Sequence, residues 1–289
     1  MVPRSLSRAI TEDEIEAFWR DGVVCLRNVM PAGWLEYMEE PVEAALASSA
    51  TADLSALGDA LGPTGAPPPG AAPRGQFLAG VDHWRRQPEF LAFASVSPLP
   101  SIISRLLRSE RVFLYEDSVL VKEPGTFEQT AFHQDMAYFH LEGEQVCTTW
   151  VPLDAVDAES GAVRFVRGSH RDLARYRPNL FVTSEPIPGT RGEEVPDFSD
   201  RADLMSFDTA PGDITVHHAR TIHGAHANRS ATRRRRAISV RFAGDDVSYG
   251  VKAGAPLKPH HASLVEGRAL DASVCPQVWP PAPSGAIPR

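Results

Sequence analysis

Several things are scarce in this sequence, and each shortage removes a class of function. Cysteine is one: Cys25, Cys147 and Cys275 are the only three in 289 residues. They lie too far apart for a Cys-x-x-Cys metal or redox motif, and an odd count suits a disulfide framework poorly. Reduced thiols in a cytoplasm are the expectation. Positive charge is also short, with 29 Lys+Arg against 37 Asp+Glu and a net charge of -8. Nucleic acid and anionic membrane surfaces call for a cationic excess, so small molecules are the expected partners. No apolar run is long enough to cross a bilayer, and Met1-Val2-Pro3-Arg4-Ser5 has no apolar stretch behind its charge, so neither a membrane span nor a signal peptide is expected. A Gly-rich phosphate loop, a Gly-x-Ser-x-Gly elbow, a His-Glu-x-x-His helix and an internal repeat are all missing. Nothing in the sequence speaks to oligomeric state.

What is present is the composition of an ordinary globular protein, 43% hydrophobic and 23% charged, with a length that all-β sandwiches and barrels commonly fold as one domain. A single domain over 1–289 is therefore expected. Its first part, to about residue 110, reads as a mainly helical flank. Thr11-Glu12-Asp13-Glu14 forms a capping box ahead of Ile15, Phe18 and Trp19, with Gly22 placed to stop the helix, and Pro31 opens a second helix carrying Trp34, Leu35 and Met38. Residues 47–75, rich in Pro, Ala and Gly, read as a mobile surface loop. One more helical pattern covers 100–107. Strand signals then dominate: 112–115, 118–122, 146–153, 162–166, 214–217 and 236–242 are short, β-branched or aromatic, and bounded by turn residues. The fold class is thus mainly β with flanking α-helices. A core over about 111–245 is interrupted by 171–210, long for a connection and placed to act as a lid, and 246–289 forms a C-terminal extension.

The segment with chemical content is Thr130-Ala131-Phe132-His133-Gln134-Asp135. On an extended strand His133 and Asp135 point to one face while Gln134 points away. An imidazole beside a hard carboxylate is part of the ligand mix of the 2-His-1-carboxylate facial triad that holds Fe(II). A second histidine is offered by Gly212-Asp213-Ile214-Thr215-Val216-His217-His218-Ala219-Arg220-Thr221-Ile222-His223-Gly224. Adjacent His217 and His218 would face opposite sides if the strand continues through them.

Together these segments resemble the phytanoyl-CoA dioxygenase family of Fe(II)/2-oxoglutarate oxygenases. The likeness rests on His133-Gln134-Asp135, Trp150-Val151-Pro152-Leu153-Asp154, Glu159-Ser160-Gly161, Arg167-Gly168-Ser169-His170, Gly212-Asp213, Ile222-His223-Gly224, Asn228-Arg229-Ser230 and Arg235-Arg236-Ala237, in order from about 112 to 242. It implies a double-stranded β-helix, the jelly-roll or cupin-like core, and Fe(II) held by His133, Asp135 and His223. Gly224 supports the choice of His223, since it lets the backbone pass close to a cofactor.

The resemblance also implies 2-oxoglutarate and O2 as cosubstrates, and oxidation of a small organic substrate, most commonly by hydroxylation, with release of succinate and CO2. The distal carboxylate of 2-oxoglutarate calls for a planar bidentate cation. Counting back from the Ala237-Ile238 strand gives Arg235, whereas counting forward from His223 gives Arg234. Strand register favours Arg235, because an extra residue fits a turn more easily than a sheet; the neighbouring arginines are expected to form a solvated basic edge. Trp150 and Ser118 correspond to family positions near the cosubstrate, while Ala225 stands where a small hydroxylated residue is usual. Asp135 argues against halogenation, since related halogenases replace the carboxylate. The alternatives are a cupin-like metal-binding isomerase, which would not need the arginine, and a catalytically silent small-molecule-binding member.

Overall fold

The computed structural model describes residues 6–56, 74–172, 174–201 and 203–281. Helix α1 (Glu12–Asp21) starts where the sequence says, with the Thr11 side chain accepting from the Glu14 N–H and Glu14 returning the bond. It ends at Gly22, whose φ of 80° closes the last turn, as only glycine does without strain. Ile15 and Phe18 face inward, and Trp19 donates its indole N–H to the carbonyl of Leu106 at 2.9 Å. The other helices are α2 (Ala32–Leu46), α3 (Pro88–Val96) and α4 (Leu99–Leu107). Sequence pattern had offered no helix at α3, whose residues are apolar on nearly every side and so lack a period.

The strands are β1 (Val23–Leu26), β2 (Thr51–Asp53), β3 (Phe77–Val81), β4 (Val112–Lys122), β5 (Thr130–His133), β6 (Leu141–Glu142), β7 (Val146–Pro152), β8 (Val163–Val166), β9 (Leu204–Ser206), β10 (Ile214–His218), β11 (His223–Ala225), β12 (Arg235–Ala243), β13 (Ser248–Tyr249) and β14 (Gln277–Trp279). An eight-stranded antiparallel sheet runs β1-β10-β7-β12-β4-β3-β2, with β14 added beside β4. A four-stranded antiparallel sheet, β5-β11-β8-β9, makes the other wall of the roll. This is the expected jelly roll, closed more fully than expected: β1, β2 and β3 come from the N-terminal flank and β14 from the C-terminal extension. Strand β2 lies inside the tract read as a mobile loop; the rest of that reading, over 57–73, falls outside the described residues.

The segments 112–115 and 118–122 are one strand rather than two. Glu116 and Asp117 break the apolar pattern, but both are buried, and Glu116 is paired with Lys258 at 2.6 Å. Period two then sorts the large sheet. Val119, Val121, Val151, Ile214, Val216, Ile238, Val240 and Phe242 pack with the helices in one core cluster. Their neighbours Leu120, Thr148, Trp150, His217, Arg235, Ser239 and Arg241 face the space between the two sheets.

Candidate metal centre

Strand β5 pairs with β11 so that His133 lies opposite His223 and Thr130 opposite Ala225. One residue more is used on β5 than on β11, which makes a bulge. Bulges re-aim side chains, and this one lets Thr130 and His133, three apart, both line the cavity. Gly224 sits across from it. A Cβ there would come within 2.8 Å of the Thr130 carbonyl oxygen and 3.3 Å of the Phe132 nitrogen. The glycine therefore makes room for the backbone of β5, where the sequence had suggested a cofactor.

Beyond His133 the chain stays extended through Gln134, whose side chain turns away to donate to the Arg220 carbonyl at 2.7 Å. Asp135 then begins a single 3-10 turn. Its Oδ1 stands 3.6 Å from His133 Nε2 and 3.9 Å from His223 Nε2, and the candidate ligand atoms of the three residues all lie within 4.8 Å of one another. Both imidazoles reach a backbone carbonyl through Nδ1, His133 at Ala131 (2.8 Å) and His223 at Thr221 (2.9 Å). A proton on Nδ1 leaves the Nε2 lone pair facing the shared space, the tautomer a metal ligand needs. Burial, then the neighbouring His217 and His133, push the His223 pKa well down and keep it neutral. Burial alone would push the Asp135 carboxyl up, yet the adjoining His133 and His217 imidazoles hold it well below its ordinary value.

Two further residues complete the centre: Thr148, which no sequence signal marks, and His217, which the histidine segment after Gly212 had offered. Thr148 donates its hydroxyl to Asp135 Oδ2, and His217 Nε2 stands 3.2 Å from the same oxygen. That leaves Oδ1 for the imidazoles. His218 does face the other way, with Nε2 2.7 Å from the Glu144 carbonyl.

The arginine run separates by register. Arg235 is 2% exposed, its guanidinium carbon lies 5.7 Å from the Trp150 ring centroid, and its Nε has no hydrogen-bond partner among the described residues. Burial lowers its pKa to about 10, which leaves it cationic. The others are not the solvated edge the sequence suggested. Arg233 pairs with Asp157 and Glu159, Arg234 with Glu43 and Glu123, and Arg236 with Asp154 and Glu43. Lys122, the register partner of Arg235, is buried with its Nζ at the His226 carbonyl (2.7 Å), and burial holds its pKa well below the ordinary lysine value. Trp150 and Ala225 line the cavity. Ser118 is buried on the same face of β4 but stands outside the lining, its hydroxyl accepting from Arg241 at 2.5 Å. Ser239 and Arg241, also unanticipated, follow Arg235 at the even spacing that a strand requires. Phe77 and Phe181 enter from distant segments, and no local signal marks them.

The fold and this arrangement agree with what the chain resembles. Residues 18–237 match the family described as phytanoyl-CoA dioxygenase (PhyH). The chain belongs to this family. A curated relative, the probable alpha-ketoglutarate-dependent hypophosphite dioxygenase of Stutzerimonas stutzeri, is 30% identical over 148 residues; the match covers 46% of this chain and 50% of that protein. The chain thus spans about half the length of that relative. Among solved structures, the non-heme alpha ketoglutarate dependent epimerase SnoN from nogalamycin biosynthesis superposes with a TM-score of 0.66 at 21% identity, covering 96% of this chain and 98% of that one. EvdO2 from Micromonospora carbonacea var. aurantiaca, complexed with 2-oxoglutarate, gives a TM-score of 0.59 at 21% identity over 87% and 96%. At such identities these structures bear on the phytanoyl-CoA dioxygenase fold, not on a substrate.

Proposed function

We propose that this chain is a non-haem Fe(II)- and 2-oxoglutarate-dependent dioxygenase that oxidises, by default hydroxylates, a small organic substrate. The carrying observation is the pairing of the triad with the buried cation of Arg235 in the same cavity. His133 and His223 offer Nε2, Asp135 offers Oδ1, and this donor set suits Fe(II). The Arg235 guanidinium, buried and without a carboxylate partner among the described residues, suits the distal carboxylate of 2-oxoglutarate, with Trp150 fixing its plane. A cupin-like isomerase would use the triad and leave Arg235 unmatched.

When bound, iron with 2-oxoglutarate and O2 supplies the oxidising chemistry, at the expense of decarboxylation to succinate and CO2. The chain's own residues do the rest. Thr148 and His217 keep Asp135 anionic and turned toward the imidazoles. Phe77, Leu120, Val163 and Phe181 keep water from the cavity. The free thiols Cys25, Cys147 and Cys275 and the net charge of -8 support a cytoplasmic setting and a small-molecule substrate.

The test is an anaerobic titration with Fe(II) and 2-oxoglutarate, following the visible charge-transfer band of the chelate. Wild type should develop the band and Asp135→Ala should not. Arg235→Gln should weaken 2-oxoglutarate binding by about tenfold or more, the worth of a charged hydrogen-bonded pair, while Arg234→Gln should resemble wild type. A wild-type protein that gives no band would end this reading.

A further inference from the structure

The large sheet can be read in transverse rows, because its register is explicit. His217 of β10 is the partner of Thr148 of β7, Thr148 of Arg241 of β12, and Arg241 of Glu116 of β4. Neighbouring strands stand about 4.7–4.9 Å apart, so these four side chains form one polar row across the floor of the cavity. Since Thr148 and His217 hold Asp135, the row lies at the level of the metal centre. Arg241 flanks Thr148 on the side away from His217. Arg235 starts the same strand six residues earlier, and its head group lies by Trp150, in the row next to that of Thr148. The two arginines therefore enter the cavity at different depths.

Arg241 is 8% exposed. Its Nη1 donates to Ser118, and Glu116 Oε1 is 3.5 Å away, but its Nε is buried and unpartnered among the described residues. A purely structural role would be to neutralise Glu116. Lys258 stands closer to Glu116, at 2.6 Å, but is shared with Asp82 at 2.6 Å, so the two cations together balance the two carboxylates. Glu116 is thus the closer partner of another cation, and what Arg241 leaves unmatched is a buried Nε–H on a side chain that lines the cavity. A buried donor left unmatched costs about 1–3 kcal/mol, and proteins keep such a group where a ligand completes it.

We propose that Arg241 binds an oxyanion group of the substrate beside the metal centre, so that the substrate is a small organic acid carrying a carboxylate or phosphoryl group. This rests on the dioxygenase reading: Arg235 takes the far end of 2-oxoglutarate, and Arg241 is left for the second molecule. Ser118 and Glu116 hold the guanidinium in plane, and the C-terminal extension, through Lys258, keeps Glu116 from closing on it.

The test is calorimetric titration of the anaerobic Fe(II)/2-oxoglutarate protein with acetate, inorganic phosphate and neutral acetamide. One of the two anions should bind and identify the group, and acetamide should not. Arg241→Gln should weaken that anion by about tenfold or more, Arg241→Lys should recover part of the loss, and both variants should keep the chelate band at unchanged 2-oxoglutarate affinity. Three results overturn the proposal: neither anion binds wild type, the anion binds Arg241→Gln equally well, or Arg241→Gln loses the band, which would assign the residue to the cosubstrate. The same titration on metal-free protein in an Arg235→Gln background separates the two readings. Should wild type give no band while anion binding there still depends on Arg241, the oxygenase reading falls and the anion site stands.

Discussion

Asp117 shows how a single residue can set the pH response of the fold. It points to the helix side of β4, is 1% exposed, and accepts a hydrogen bond from the Trp84 N–H at 3.0 Å. Burial and then the neighbouring Asp82, with Glu116 adding the same sign, push its carboxyl up to about 8. A raised carboxyl favours the protonated native state. Its contribution is complete below the unfolded value of about 4 and is lost as pH rises through the folded value of about 8. Asp117→Asn, which cannot ionise, should therefore gain on wild type in melting temperature steadily between about pH 5 and about pH 8. A constant difference across that range would mean that Asp117 ionises in the fold as it does in water. At this scale the sequence was most readable where a family motif adds to strand spacing, as for His133 and Asp135, although Asp135 reaches the centre from a 3-10 turn and not from the strand. It concealed Thr148 and Arg241, because a polar residue in a strand has the same signature whether it meets solvent, a core partner or a cavity. It misled at Glu116 and Asp117, whose acidic pair reads as a strand end until Lys258 is brought beside it by the C-terminal extension.

At the scale of elements, the site depends on one irregular strand pair. The bulge of β5 against β11 brings His133 opposite His223, and Gly224 tolerates it because no side chain intervenes. Gly224→Ala forces its Cβ against the Thr130 carbonyl, a backbone atom that cannot swing aside. The expected cost is about 1–3 kcal/mol of stability, typical of overpacking. It should be joined by weaker Fe(II) binding as the two histidines are displaced relative to each other. Thermal melts and Fe(II) titration read the two effects separately; an unchanged metal affinity would show that the bulge does not set the ligand geometry. Helix α1 was legible to its last residue, since a capping box and a terminal glycine are local signals. The bulge was not, for it is a property of pairing, and neither strand alone contains it. The same holds for the insertion at 171–210. It holds little regular structure beyond β9, yet Asn179 anchors it by donating to the Phe132 carbonyl at 3.0 Å, and the Phe181 ring lies 5.2 Å from that of His133.

Across the whole molecule the two faces of the large sheet carry opposite tasks. The outer face, against α1 to α4, is largely apolar, with Asp117 as its buried exception; the inner face holds the buried Arg235 cation and the unpartnered Arg241 Nε, each costly without a ligand. A fold that concentrates unmatched polar groups in one cavity surrenders stability there and regains it on binding. Ligands that bind only the native state add RT ln(1 + [L]/Kd), about 2.7 kcal/mol at a hundredfold excess over Kd. That corresponds to a rise of several degrees for a chain of this size. In the absence of O2, Fe(II) followed by 2-oxoglutarate should raise the melting temperature in two steps. Arg235→Gln should keep the first step and lose most of the second. In the metal-free state the same variant should melt no lower than wild type, because it removes a buried charge that has nothing to pair with. A variant that is destabilised equally with and without ligands would place Arg235 in the scaffold, with Trp150 as its partner, and leave 2-oxoglutarate without its anchor.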